Sequence, residues 1–98
     1  EDIPVYPIVS RDLSLVLNKD VTYNLVERIV KESTGAFFKN LSLFDVYEGK
    51  NIDPDKKSYA ISIDLYDAKQ TMTDDRIEKI MNKVMSRLEK DVNALIRK

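Results

Sequence analysis

Neither cysteine nor histidine occurs in this chain of 98 residues. That double absence removes a disulfide framework, thiol chemistry, the common zinc sites and the usual general base. It argues against catalysis within the chain, and no cofactor or metal is expected in it. Glycine is nearly as scarce, at Gly35 and Gly49 alone, which counts against a regulatory domain that holds a small molecule in glycine-rich loops between paired subunits. No apolar run approaches the ~20 residues of a membrane span, so no membrane partner is expected. Neither sign of charge is in excess: 16 Lys and Arg stand against 17 Asp and Glu, a formal net charge of -1. Proteins that track a nucleic-acid backbone without sequence preference carry a strong basic excess and lose affinity steeply with salt. If this chain binds RNA it has to read bases, with help from elsewhere, since one stacked base contributes only about 1–3 kcal/mol.

What remains is the composition of a folded domain, 43% hydrophobic and 34% charged. At this length one core is expected, one layer of sheet and one of helix, without a cleft between lobes. No signal-peptide pattern opens the sequence, and cytoplasmic is the default compartment. A start at Glu1 rather than Met is expected of a piece cut from a longer polypeptide. Residues 1–10 contain Pro4 and Pro7, neither of which can donate to a central ladder. They read as an arm or linker, and residues 11–98 as the domain.

Leu13, Leu15 and Leu17 alternate with Asp12 and Ser14, the period of a strand with one buried face, and Asn18-Lys19-Asp20 supplies turn chemistry. Thr22 can cap a helix running to about Thr34, with Leu25, Val26, Ile29 and Val30 at helical spacing and Gly35 placed for a left-handed C′ residue. The second strand covers roughly Lys39 to Tyr47 and changes phase: Leu41 and Leu43 fall on odd positions, Phe44 and Val46 on even ones. A bulge near Leu43 explains this. The third strand, Ser58 to Tyr66, places Tyr59, Ile61, Ile63 and Leu65 on one face and Ser58, Ala60, Ser62 and Asp64 on the other. The polar stretch from Gly49 to Lys57, with Asp53-Pro54-Asp55, makes the two strands an antiparallel hairpin with a long tip. Thr73, Asp74 and Asp75 mark the start of a second helix with an apolar stripe from Ile77 to Val92, and residues 93–98 form a short last strand. The order is β-α-β-β-α-β, an α+β sandwich in which two helices cover one face of a four-stranded antiparallel sheet and leave the other open.

If Phe44 and Val46 point to the helices, Asp45 and Tyr47 point to the open face, and Ser58 joins them. Directly opposed residues of a hairpin share a face, so a register pairing Tyr47 with Ser58 satisfies both apolar patterns. Such a face can stack a base on Tyr47 and read its edge with Asp45 and Ser58. An Asp carboxylate accepts two hydrogen bonds from the N1 and N2 donors of guanine, an arrangement the other bases do not offer. Arg11, Lys56 and Lys57 are candidate phosphate contacts flanking that base. The first strand adds only Asp12, Ser14 and Val16 to this side, so the site reads as small, suited to one base.

At these residues the chain resembles the ferredoxin-fold anticodon-binding domain at the C-terminal end of the phenylalanyl-tRNA synthetase β subunit. The likeness runs nearly end to end: Tyr6-Pro7, Arg11-Asp12-Leu13-Ser14-Leu15-Val16, Leu43-Phe44-Asp45-Val46-Tyr47-Glu48-Gly49, Lys56-Lys57-Ser58-Tyr59-Ala60 and Thr71-Met72-Thr73-Asp74. The resemblance implies a ferredoxin-like fold that reads the anticodon of phenylalanine tRNA, chiefly its first nucleotide, a guanosine. It makes Tyr47 the stacking platform and Asp45 and Ser58 the hydrogen-bonding groups. It further implies a parent phenylalanine-tRNA ligase using ATP and Mg2+, whose aminoacylation occurs in a distant α subunit, with the remainder of β and that α subunit as partners in an (αβ)2 assembly. Organellar versions carry a similar domain on a single chain. A small phosphatase of this topology needs an arginine in an anion-cradling loop, and Asn18-Lys19-Asp20-Val21 is not one. A subunit-docking module of the same fold is the stronger rival, and predicts an exposed apolar patch in place of a polar reading site.

Overall fold

The alternation of leucines at the start of the chain is realised as β1 (Val9–Asn18), the strand on which the sheet is built. The computed structural model describes residues 6–49 and 52–97. After β1 come α1 (Tyr23–Thr34), a 3-10 turn at Gly35–Phe37, β2 (Phe38–Tyr47), β3 (Lys56–Leu65), α2 (Asp74–Val92) and β4 (Leu95–Arg97). The sheet order is β2-β3-β1-β4 with every neighbouring pair antiparallel. This is the expected α+β, ferredoxin-like βαββαβ arrangement. Of the expected arm, residues 1–5 lie outside the described residues, while Val9 and Ser10 belong to β1, opposite Leu65 and Asp64.

Period-2 burial makes β1 and β3 two-faced. Leu15, Leu17, Ile61, Ile63 and Leu65 are fully buried, and they meet Val26 and Val30 of α1 and Val84 and Leu88 of α2 in one core. Each such side chain contributes roughly 1.5–3 kcal/mol by leaving water. Both helices start at a threonine cap: Thr22 Oγ1 accepts from the Leu25 N–H at 3.2 Å and Thr73 Oγ1 from the Arg76 N–H at 3.3 Å. α1 stops at Gly35, whose φ of 58° is positive as expected, although its ψ of -130° lies outside the left-handed helical region. α2 runs to Val92, and its closure takes up the first two residues of the stretch expected to be strand. Asn93 takes the left-handed conformation that closes the helix, with the Ala94 N–H donating to the Leu88 carbonyl at 3.2 Å, so only Leu95–Arg97 remain for β4.

The loop from β3 into α2 is tied by Asp67. Its buried carboxylate accepts from the Lys69 backbone N–H at 2.8 Å and from Arg76 Nη1 at 3.0 Å, and the Arg76 guanidinium covers the Phe37 ring at 4.9 Å. The Lys69 amide, assisted by the Arg76 charge and opposed by burial, holds the Asp67 carboxyl below the ordinary carboxylate range.

Candidate nucleic-acid interface

The phase change in β2 is a bulge, as its sequence predicts. Leu41 and Leu43 pair with Ile63 and Ile61, the register shifts between Leu43 and Asp45, and then Asp45, Val46 and Tyr47 oppose Ala60, Tyr59 and Ser58. Phe44 is the extra residue, so residues 45 and 47 change faces relative to 41 and 43. Asp45, Tyr47 and Ser58 therefore share the face that carries neither helix. Tyr47 is 44% exposed, Asp45 is exposed and Ser58 is half-buried. Asp45 lies opposite Ala60, whose methyl leaves space above the sheet beside the carboxylate.

Tyr47 has a defined resting place. A Cβ built on Gly49 would stand 2.9 Å from the Tyr47 hydroxyl oxygen and 3.1 Å from its Cζ, so the ring leans over the one residue type that leaves room for it. The hairpin tip is braced from the first turn by the Lys19 Nζ–Glu48 Oε1 pair at 3.4 Å and by the Lys19 N–H donating to the Asp55 carbonyl at 2.9 Å. An exposed pair of this kind stabilises by roughly 0–1 kcal/mol, so the backbone bond is the firmer tie.

The three candidate phosphate contacts separate. Lys56 begins β3 on the open face, two residues before Ser58, and its Nζ donates to Asn18 Oδ1. Lys57 does not reach that face. Its alternation with Ser58 turns it to the helix side, where it is buried, donates to the Val21 carbonyl and lies 4.8 Å from the centre of the Tyr59 ring. Arg11 does not reach it either: it opposes Ile63, and it lines a cavity with Ile77, Glu78 and Met81 of α2 at the far end of β1.

The inward packing expected of Phe44 and Val46 is not realised. Val46 keeps the helix-side phase opposite Tyr59, yet is 50% exposed, and Phe44 is 60% exposed. β2 is an edge strand, with β3 as its neighbour on one side alone.

Two open-face residues escape the sequence reading. Leu95 opposes Val16 and Arg97 opposes Ser14, so both stand on the same side as Tyr47. The pairings define two rows across the sheet, Tyr47-Ser58-Val16-Leu95 and Asp45-Ala60-Ser14-Arg97. The alternation Leu95-Ile96-Arg97 carries the signal, but three residues are too few to assign a face without the register. The open face thus carries Leu95 and a cation, Arg97, beside the residues that β1 contributes.

A four-stranded antiparallel sheet with one face free, carrying an aromatic ring beside hydrogen-bonding groups, is an architecture that single-strand-reading domains use. Residues 4–97 match the ferredoxin-fold anticodon binding domain, and the chain belongs to that family. More particularly, it is similar to phenylalanine-tRNA ligase beta subunits. It is 45% identical over 97 residues to that of Bacteroides thetaiotaomicron, 40% over 95 residues to that of Bacillus subtilis and 41% over 96 residues to that of Porphyromonas gingivalis. These alignments cover 99%, 97% and 98% of this chain, but 12% of each relative, so the chain spans about one-eighth of their length.

Proposed function

We propose that this domain reads the first anticodon nucleotide, a guanosine, of phenylalanine tRNA on behalf of a phenylalanine-tRNA ligase. The observation that carries the reading is the pairing of Tyr47 with Ser58 on the free face of the sheet, with Asp45 two residues from Tyr47 on the same side. The guanine stacks on the Tyr47 ring, its N1–H and N2–H donate to the Asp45 carboxylate, and the Ser58 hydroxyl completes the polar contacts. Adenine turns an acceptor nitrogen toward that carboxylate, so it loses the hydrogen bonds and leaves the acid facing a lone pair. Lys56 is the flanking cation on this face. Arg11 and Lys57 have no part in it.

In this reading the domain selects and positions tRNA, and aminoacylation occurs in the α subunit of an (αβ)2 cytoplasmic enzyme to which the remainder of β belongs. The ATP and magnesium of that reaction are assigned to the parent enzyme. The test is a double-mutant cycle between protein and RNA in the intact enzyme. Asp45→Ala and Tyr47→Ala each weaken binding of phenylalanine tRNA by roughly 1–3 kcal/mol. Replacing the first anticodon guanosine by adenosine erases most of the Asp45→Ala effect. An Asp45→Ala loss of equal size on both RNAs sinks the assignment.

The docking alternative has one observation in its favour, the exposed apolar pair Phe44 and Val46 on β2, of which Val46 has the helix-side phase opposite Tyr59. Val46 lies on a different surface from the reading face. Weakened association with the rest of the polypeptide in Val46→Ser, at unchanged tRNA affinity, distinguishes it.

A further inference from the structure

We propose that the free edge of β1, from Val9 to Leu13, takes up an extended peptide segment of a protein partner in which apolar side chains alternate with lysine or arginine. Among the described residues β4 ends at Arg97, opposite Ser14, so Val9–Leu13 has β3 on one side and no strand on the other. The direction of its backbone groups follows from one bond at the far end of the strand. The Lys19 N–H donates to the Asp55 carbonyl at 2.9 Å, and the pairing of β1 with β3 runs without a shift from Asn18 back to Val9. Odd-numbered residues of β1 therefore turn their N–H and C=O toward β3, and even-numbered ones turn theirs the other way. Ser14 and Val16 meet β4 in this manner, while the amides and carbonyls of Ser10 and Asp12 face outward beyond it. The Ser10 carbonyl accepts from Arg11 Nη1 at 2.9 Å, so a side chain of β1 takes the place of a strand's N–H.

The slot beside this edge has a floor and a rim. On the helix side a cavity of about 450 Å3 is lined by Arg11 and Leu13 of β1 and by Ile77, Glu78, Met81 and Met85 of α2. Side chains of a strand laid along β1 alternate, so those opposite Arg11 and Leu13 enter the cavity and those opposite Ser10 and Asp12 face the open side. Ile77 and Met81 are buried at its base and Met85 is half-buried, a floor for apolar side chains that the methionines can fit to more than one shape. Asp12 sets the charge on one border, and Asp74 and Glu78 set it on the other. All three carboxylates are exposed, and none forms an ion pair among the described residues. Arg11 alone is cationic among the described residues that line the cavity. A basic segment is attracted to this rim and a phosphate backbone is repelled, which favours a peptide over RNA. Proline and bulges commonly blunt an open edge, and Val9–Leu13 contains neither. The mode is strand addition, in which main-chain bonds supply affinity and alternate side chains supply choice.

The experiment uses the intact polypeptide that carries this chain and a fluorescein-labelled heptapeptide of alternating lysine and valine, with binding read by fluorescence anisotropy. Its references are a peptide of the same composition with the lysines grouped, one with glutamine for lysine, and two with N-methylated backbones, at every lysine or at every valine. A strand held by one edge uses every second N–H. One methylated peptide therefore keeps its affinity, and the other loses about tenfold. The grouped and glutamine peptides bind more weakly than the alternating one. Asp12→Asn combined with Glu78→Gln lowers the affinity of the lysine peptide about fivefold, leaves that of the glutamine peptide unchanged, and keeps the urea midpoint of the parent. No binding of the alternating peptide, equal binding of the grouped one, equal losses in both methylated peptides, or a lysine-peptide affinity unmoved by the double variant each overturns the proposal. Self-association of the parent in sedimentation that the double variant abolishes reassigns the edge to a second copy of the chain and overturns it as well.

Discussion

Gly49→Ala isolates the position of the Tyr47 ring from its presence. The backbone at Gly49 is outside the positive-φ region, so alanine is sterically allowed there; what it meets is the ring. Its Cβ starts 2.9 Å from the Tyr47 hydroxyl oxygen, and ordinary contact begins at 3.4 Å, so the ring end retreats by about 0.5 Å or more. A radial gap of 0.5–1 Å forfeits roughly a quarter to a half of a dispersion contact, so a base stacked for about 1–3 kcal/mol loses about 0.3–1.5 kcal/mol, or roughly twofold to tenfold in affinity. For folding, two opposing effects largely offset each other. An off-rotamer tyrosine costs about 0.5–1.5 kcal/mol, and a glycine-to-alanine change returns about 0.4–1 kcal/mol through the unfolded chain. Filter binding of phenylalanine tRNA, paired with urea denaturation, measures both quantities. In the Tyr47→Ala background the Gly49 substitution has no further effect on binding, because there is no ring left to displace. A Gly49→Ala affinity equal to the parent, or a loss that persists without Tyr47, refutes the platform argument.

Lys57→Met removes the buried donor to the Val21 carbonyl and keeps most of the aliphatic stem over Tyr59; stability falls by roughly 1–3 kcal/mol in chemical denaturation, while tRNA affinity stays unchanged. A binding loss without a stability loss restores Lys57 to the RNA interface. Asp67 predicts an acid limb. Its folded carboxyl ionises at lower pH than the ~3.9 of an unfolded aspartate, so its contribution is complete above that value and disappears as pH falls through the lower folded one. Asp67→Asn therefore lowers the urea midpoint at pH 7, and the gap to the parent closes below about pH 4. A gap that is constant with pH shows that the side chain acts without its charge.

The strand faces are legible in the sequence because hydrophobic alternation and burial are two descriptions of one pattern: Leu13, Leu15 and Leu17 against Ile61, Ile63 and Leu65 leave a single way to lay two strands on a core. The bulge is legible for the same reason, since one inserted residue is the smallest change that lets apolar parity switch within Leu41–Val46 while the strand continues. Lys57 is misplaced by its residue type, although its parity with Tyr59 already turns it inward. Lysine suggests solvent, and a carbonyl partner contributed from a distant turn leaves no mark in local sequence. Phe44 and Val46 are expected in the core because apolar parity reports phase, whereas burial also requires neighbours on every side, and an edge strand has a paired strand on one side alone. Leu95 and Arg97 depend on a long-range register between β1 and a three-residue strand, which no local pattern encodes. Likeness to known relatives reinforces the family; the cross-sheet rows come only from the pairing.

Phe44, the extra residue of the second of two register shifts in β2, sets which way Asp45 and Tyr47 look. Exchange it for another amino acid and the count along β2 is unchanged; remove it and the parity of everything downstream inverts, swinging the acid and the ring beneath the sheet. Recognition in this domain is thus robust to spelling changes at that position and fragile to the loss of a single letter, an asymmetry that a deletion scan of β2 makes visible where a substitution scan stays silent.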